Sequence, residues 1–316
     1  MATTTSITTT YAGEKMQGFI SAALLSANTL DAGGITIKPN VKFREVIKVL
    51  STDDILKDGS CDFTATSTVT LTERYLDPKE FQVNVQLCKQ DFRSDFDAIS
   101  MGLSAHDNLP PSFQDYLVGY MASKVAEKME KTIWNGADAN DGEFDGLIAL
   151  ATADAGVIDV AGASLGAGGV TDANVIAELG KVVDAIPQEI YGKEDLKLYV
   201  APNVARAYVR ALGGFGANGL GANGYESRGT QWYTNGSLSF DGVAIFMSNG
   251  IPSNYIVAAQ TSNLMYGCGI LNDKNEVKVI DLADIDGSQN VRVVMRMAAT
   301  VNFGIPEEVV LYTPVA

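Results

Sequence analysis

Histidine and cysteine are scarce in this sequence. One histidine, His106, and three cysteines, Cys61, Cys88 and Cys268, are spread through 316 residues. The cysteines have no paired spacing, so neither a disulfide framework nor a zinc site is indicated, and reduced, mostly buried thiols are expected. Long apolar runs are missing too. No stretch approaches the ~20 unbroken apolar residues of a membrane helix, and the Thr-rich start MATTTSITTT has neither the basic nor the apolar part of a secretory signal. A soluble chain made in the cytosol, with no membrane partner, is expected. Positive charge is in short supply: 23 Lys and Arg against 38 Asp and Glu leave a net charge of −15, spread along the chain. Such a surface repels nucleic acid, so direct reading of DNA sequence is not expected.

What is present is ordinary globular material, 46% hydrophobic and 19% charged, enough for one large domain or two intertwined ones. After the leader, Met16, Phe19, Ile20, Ala23 and Leu24 recur at helical spacing within an otherwise extended N-terminal arm. VKFREVIKVL (41–50) and TATSTVTLT (64–72) have strand character, and STDDILKDGSCDF between them carries turn residues, which predicts a long protruding hairpin. Its second strand places Thr64, Thr66, Thr68, Thr70 and Thr72 on one face, taken as the exposed one. KEFQVNVQLCK alternates Phe81, Val83, Val85 and Leu87 with polar residues, as a half-buried strand does.

The clearest element spans 110–133. Ser112 is its candidate N-cap, and Phe113, Leu117, Met121, Val125, Met129 and Ile133 repeat every four residues, predicting a long spine helix with one apolar stripe. Beyond it come an Ala- and Gly-rich stretch, a helix over 171–187 capped by Thr171, the strand LKLYVAP, the helix PNVARAYVRAL and the Gly-rich loop 213–229. Short β segments then run to the C-terminus.

No chemical motif survives a check of its spacing. WNGADANDGEFDGL (134–147) has the look of a calcium loop, but counted from Asp138 the fifth position is Gly142, the sixth is Glu143 and the twelfth is Ala149, where that loop needs a ligand, a Gly and a bidentate Glu. A polar linker leaving the spine helix is the simpler reading. GASLG (162–166) matches the nucleophile elbow G-x-S-x-G, yet His106 lies upstream of Ser164, whereas that fold supplies its histidine downstream, and the Ala and Gly around it read as a loop. GFGANG and GLGANG (214–224) each fit G-x-G-x-x-G, but they follow a helix and open none, so they lack the strand and helix dipole of a nucleotide site. Neither Gly180-Lys181 nor Gly192-Lys193 belongs to a Walker loop. No catalytic residue, cofactor or metal is expected, and a non-enzymatic role follows.

The order of elements is more telling than any motif. Extended arm, long hairpin, strand, spine helix, α/β region with a Gly-rich loop and final strands together resemble the major capsid proteins of tailed bacteriophages, with the HK97-like fold. WNGADANDGEFDGL resembles the family's exit from the spine helix, ending in Asp145-Gly146-Leu147. LKLYVAPNVARAYVRAL is similar to the axial-domain strand and helix, LSFDGVAIFMSNGIP to a short strand turning toward a proline, and NDKNEVKVID with VRVVMRMAATVNFGIPEEVVLY to the return into the last peripheral strands.

The resemblance implies an α+β chain with an N-terminal arm (1–42), an extended-loop hairpin (43–78), a peripheral domain with the spine helix (79–145), an axial α/β domain (146–290) and peripheral return strands (291–316). It implies self-assembly into pentamers and hexamers of an icosahedral head around double-stranded DNA, with a portal and a separate scaffolding protein as partners. Lys57 and Asp58 at the hairpin tip and Phe215, Asn218, Leu220 and Tyr225 in the Gly-rich loop are the expected subunit contacts. Only about 40 residues precede the first strand, too few for a fused scaffold of ~100-residue scale, and no Lys, Asn and Glu set matching the family's covalent cross-link surrounds Lys57 or Lys79. The alternatives are an encapsulin-like compartment shell, a secreted surface protein, or a hydrolase using Ser164.

Overall fold

The computed structural model describes residues 28–52, 56, 58–59, 61, 68–88, 111–164, 169–213, 238–269, 277–282 and 287–315. A short helix, α1 (Asn28–Asp31), leads into β1 (Thr36–Lys38). β2 (Glu45–Thr52) and β3 (Val69–Leu76) pair antiparallel as a two-stranded sheet, and β4 (Lys79–Cys88) follows after a short break. From Lys79 to Leu87, β4 alternates half-buried and exposed residues, as its period-two pattern predicts.

The spine helix α2 runs Pro111–Asn135, about 37 Å at ~1.5 Å per residue. It begins at a proline, whose missing N–H costs nothing in the first turn, so Ser112 lies inside the helix and is not its cap. Along the expected stripe Met121 and Val125 are half-buried while Met129 and Ile133 are buried. Phe113 and Leu117 lie outside the described side chains. Three further buried residues sit off the stripe, Glu130, Thr132 and Trp134.

The exit from α2 explains the glycines of WNGADANDGEFDGL. A Cβ on Gly136 would meet the Phe144 carbonyl oxygen at 2.3 Å, and one on Gly146 would meet Gly136 N at 2.7 Å. The two glycines lie back to back, and Gly146 N donates to Gly136 O at 3.0 Å. Glu143 Oε2 accepts from Ala137 N at 3.1 Å and from Asn140 Nδ2 at 3.0 Å, and Asp145 Oδ1 accepts from Asp138 N at 2.8 Å. Lys128 donates to the other Glu143 oxygen and Lys79 pairs with Asp138. The loop's carboxylates serve its own backbone and two lysines, the arrangement of a closed turn. The Lys128 ammonium, helped by Asn140, holds the Glu143 carboxyl down at about 2.

Helix α3 (Leu147–Ala153) packs on α2, and β5 (Ile158–Ser164) follows it. The Ala and Gly residues read as a loop around GASLG are, as far as Ser164, a strand parallel to the last strand of the chain. Small residues suit it because a tyrosine lies across it: a Cβ on Gly162 would come within 2.5 Å of Tyr312 Oη, which donates to the buried Glu178 at 2.7 Å. Helix α4 (Val175–Asp184) starts later than its Thr171 cap predicts. Asn174 Oδ1 accepts from Thr171 N at 2.7 Å, and this local bond makes 171–174 a turn before the helix.

β6 (Leu196–Val200) and α5 (Pro202–Gly213) match the strand and helix expected there. β7 (Leu238–Phe240) and β8 (Val243–Met247) form a hairpin turning through Asp241 and Gly242, both with positive φ, 45° and 82°. β9 (Ile256–Gln260), β10 (Leu264–Cys268), β11 (Val277–Asp281), β12 (Asn290–Phe303) and β13 (Val310–Val315) complete the described strands.

Two larger sheets result. One has the order β5-β13-β9-β6-β8-β7, and the other β1-β10-β12-β11 with β4 along the far side of β12. The sheets interleave in sequence: β10 lies in the sheet of β12, whereas β13 lies with β5 and β9. β9 is buried along its whole length, and Leu198, Tyr199 and Val200 of β6 join Trp134, Ile256 and Leu311 in one core.

A polar knot ties the arm to this body. Thr29 is fully buried; its N–H donates to Glu130 Oε2 at 3.1 Å, its hydroxyl donates to Glu130 Oε1, and Trp134 Nε1 donates to that hydroxyl at 2.8 Å. Ser248 Oγ donates to the same carboxylate at 2.9 Å. Such donors are what make a buried carboxylate tolerable. Gly250 lets the chain after β8 approach, since a Cβ there would lie 2.1 Å from the Glu130 carbonyl oxygen.

Candidate assembly surface

The β2–β3 hairpin has two unlike faces. Its register pairs Ile47 with Arg74, Val49 with Thr72 and Ser51 with Thr70, and alternates these with Val46–Tyr75, Lys48–Glu73, Leu50–Leu71 and Thr52–Val69. The first set shares a face with Leu76 and docks on the body at its base, where Ile47 and Leu76 are buried with Val41 against Met265. Arg74 pairs with Asp154 and lies 4.7 Å over the Phe303 ring, and Asn302 Nδ2 donates to the Tyr75 carbonyl at 2.7 Å. Burial works to raise the Asp154 carboxyl, but hydrogen bonds from Arg74 and the Gly156 N–H hold it below the ordinary aspartate range. The hairpin is anchored at one end.

Its second face is exposed and mainly apolar, crossed by the charged Lys48–Glu73 pair. Leu50 is 64% exposed, Leu71 63% and Val69 58%, with Val46 and Tyr75 also exposed beside them. Phe43 and Leu56 add isolated exposed apolar groups before and beyond β2. Thr70 and Thr72 are exposed, as the repeated threonines predict. The face opposite them is equally open, and the alternation of Val69 and Leu71 with those threonines is its signal in the sequence. The exposed Lys48–Glu73 pair divides this face into two apolar patches, Val46 with Tyr75 and Leu50 with Leu71 and Val69, and exposed apolar patches of this kind are candidates for contact with another surface. A second apolar surface, a cleft of about 330 Å³, runs beside the spine helix between Leu30, Val125, Ala126, Met129, Tyr266 and Met297.

Of the residues expected to make subunit contacts, Asp58 is exposed near the hairpin tip. Lys57, Phe215, Asn218, Leu220 and Tyr225 lie outside the described residues, as do His106 and the two G-x-G-x-x-G repeats. Ser164 ends β5, and the next described helix begins only at Val175. Among the described residues no cluster of three or more His, Cys, Asp or Glu is arranged to hold a metal ion, and no helix is long and apolar enough to cross a membrane.

No family model matches the sequence, and no curated protein matches it. Solved structures do match over nearly the full length. The capsid of a native GTA particle aligns at a TM-score of 0.62 and 12% identity, covering 96% of this chain and 95% of the other. A chain of the Mycobacterium phage Adephagia structure aligns at 0.60 and 16% identity, covering 95% of each. The capsid of Myoviridae phage XM1 aligns at 0.58 and 11% identity, covering 94% of this chain and 95% of the other. At these identities the likeness speaks for the fold, and the chain has the α+β, HK97-like fold found in phage capsids.

Proposed function

We propose that this chain is a major capsid protein, assembling through many copies into the pentamers and hexamers of an icosahedral phage head. One observation carries the reading: a chain with this fold projects a hairpin whose apolar face its own body leaves open. Covering Leu50, Leu71 and Val69 on a neighbour would contribute roughly 1–2 kcal/mol each, repeated at every contact of a shell. In this reading the hairpin lies across an adjacent subunit with Lys57 and Asp58 at its tip. The loop bearing Phe215, Asn218, Leu220 and Tyr225 lies near the capsomer axes, and the peripheral and axial domains exchange strands across the limit at 290/291, β10 and β11 joining β4 and β12 while β13 joins β5 and β9. The net charge of −15 keeps the inner wall from adhering to enclosed DNA. A portal and a separate scaffolding protein are the further partners.

Negative-stain electron microscopy of the expressed protein tests this. Shells, tubes or capsomer rings are expected, and the double variant Leu50→Asp with Leu71→Asp should stay folded but fail to form them. Monodisperse small oligomers from the unaltered chain, or normal shells from the double variant, would count against the reading. Shells enclosing a co-purifying enzyme in place of DNA would favour the compartment alternative.

A further inference from the structure

The five-stranded sheet ends in an edge of unusual length and plainness. β4 pairs with β12 in unbroken register from Asn290 opposite Cys88 to Ala299 opposite Lys79, and among the described residues it has no other strand partner. Exposed edges in soluble proteins are ordinarily short, bulged, or guarded by charge or proline. From Phe81 to Cys88, β4 has no charged residue, no proline and no bulge. Its sequence there has a further property. FQVNVQL reads alike by side-chain class in both directions about Asn84, with Val83 matching Val85, Gln82 matching Gln86 and Phe81 matching Leu87. Gln82, Asn84 and Gln86 are exposed on one face, and the apolar four are half-buried on the other.

We propose that two copies of this chain join edge to edge through β4, antiparallel, about a twofold axis at Asn84. Opposed residues in an antiparallel pair share a face, so each side chain meets its own class: Val83 meets Val85 of the second copy, Phe81 meets Leu87, and Gln82 meets Gln86. Arg292 Nε already donates to Gln86 Oε1 at 3.1 Å, which leaves the Gln86 amide N–H groups to donate to Gln82 of the second copy. The contact is isologous and closes after two copies. It joins the two five-stranded sheets into one and satisfies the free main-chain groups of both edges.

Cysteine cross-linking tests it, in a background carrying Cys61→Ser and Cys88→Ser. Directly opposed residues have Cα atoms about 4.5–5.5 Å apart, within disulfide range, so Asn84→Cys should give covalent dimers under mild oxidation. Gln82→Cys alone sits four residues, about 14 Å, from its own copy and should not; with Gln86→Cys added, dimers should return. Circular dichroism of each variant confirms folding, which these exposed positions favour. In ultracentrifugation, Gln82→Lys with Gln86→Lys should weaken the dimer severalfold, and Gln82→Lys with Gln86→Glu should not. Absence of dimers from Asn84→Cys, or equal cross-linking from Gln82→Cys alone, overturns the proposal. The pairing does not rest on the shell reading: the cross-linking pattern without shells supports it, and shells without the pattern leave only the assembly reading standing.

Discussion

The β2–β3 hairpin and the six-stranded sheet draw on the same residue types and place them differently. In the sheet, β9 reads IVAAQ and is buried at every position, with β6 nearly so beside it. In the hairpin, β3 reads VTLTERYL, and only Leu76 at its base is fully buried. Valine and leucine occur in both, so composition does not separate them. What separates them is the number of layers the chain itself supplies. The sheet has α4 packed on it and neighbouring strands on both sides, whereas the hairpin has one strand pair and one docked end, and its Leu50 and Leu71 are 64% and 63% exposed. Apolar residues of the first kind stabilise the subunit. Those of the second kind contribute only when another surface arrives.

The comparison breaks most visibly in the core. Leu198→Ala removes a fully buried side chain of β6 and should cost roughly 2–5 kcal/mol in urea denaturation of the unassembled subunit. Leu71→Ala should change that stability by no more than about 0.5 kcal/mol while impairing assembly. Comparable losses from the two substitutions would mean that the hairpin face is covered within one subunit. A smaller effect is expected at the polar knot. Glu130→Ala strips Thr29 and Ser248 of their buried acceptor and should cost about 2–3 kcal/mol. Because the knot lies between arm, spine and the chain after β8, amide exchange should rise at Thr29 and Gly250 ahead of global unfolding. Exchange unchanged at both would show that the arm is held by other contacts.

These contrasts bear on what could be read in advance. β4 and the spine helix were legible because each carries a sustained period of two or of nearly four along its own length, β6 and β12 because they are apolar or alternating runs, and α5 because Pro202 opens its first turn. β5 was not, since IDVAGAS has too little apolar mass to register as a strand; its partner Tyr312 supplies the bulk from more than a hundred residues away. Glu130 and Trp134 fall off the four-residue stripe, and a glutamate beside a stripe reads as solvent-facing until Thr29 and Ser248 are seen to meet it. The hairpin's apolar face failed for a different reason. Alternation reveals that a strand has two faces, but which of them the rest of the chain leaves exposed depends on how distant segments pack, and the local pattern does not contain it. The glycines of WNGADANDGEFDGL sit between these cases: a turn was evident, while the need for glycine at 136 and 146 came only from their mutual approach.

That turn yields the smallest of the expected effects and sharpens the contrast from the other side. Glu143 is held at about 2, below its ordinary 4.5, chiefly by the hydrogen bond from Lys128. A depressed carboxyl favours the folded state when ionised, so its contribution is complete above about 4.5 and disappears as the pH falls through 2. Lys128 is half exposed and water screens the pair, so the contribution is set at about 1 kcal/mol, less than the shift alone implies. Glu143→Gln should therefore be less stable than the unaltered chain by that amount at pH 6, and the two should converge near pH 2; a constant difference across this range would remove the ionic part of the account. Lys128, Asn140 and Ala137 all belong to the same chain as Glu143, so this pH-dependent difference should be the same before and after assembly, whereas substitutions at Leu50 or Leu71 should matter only after it.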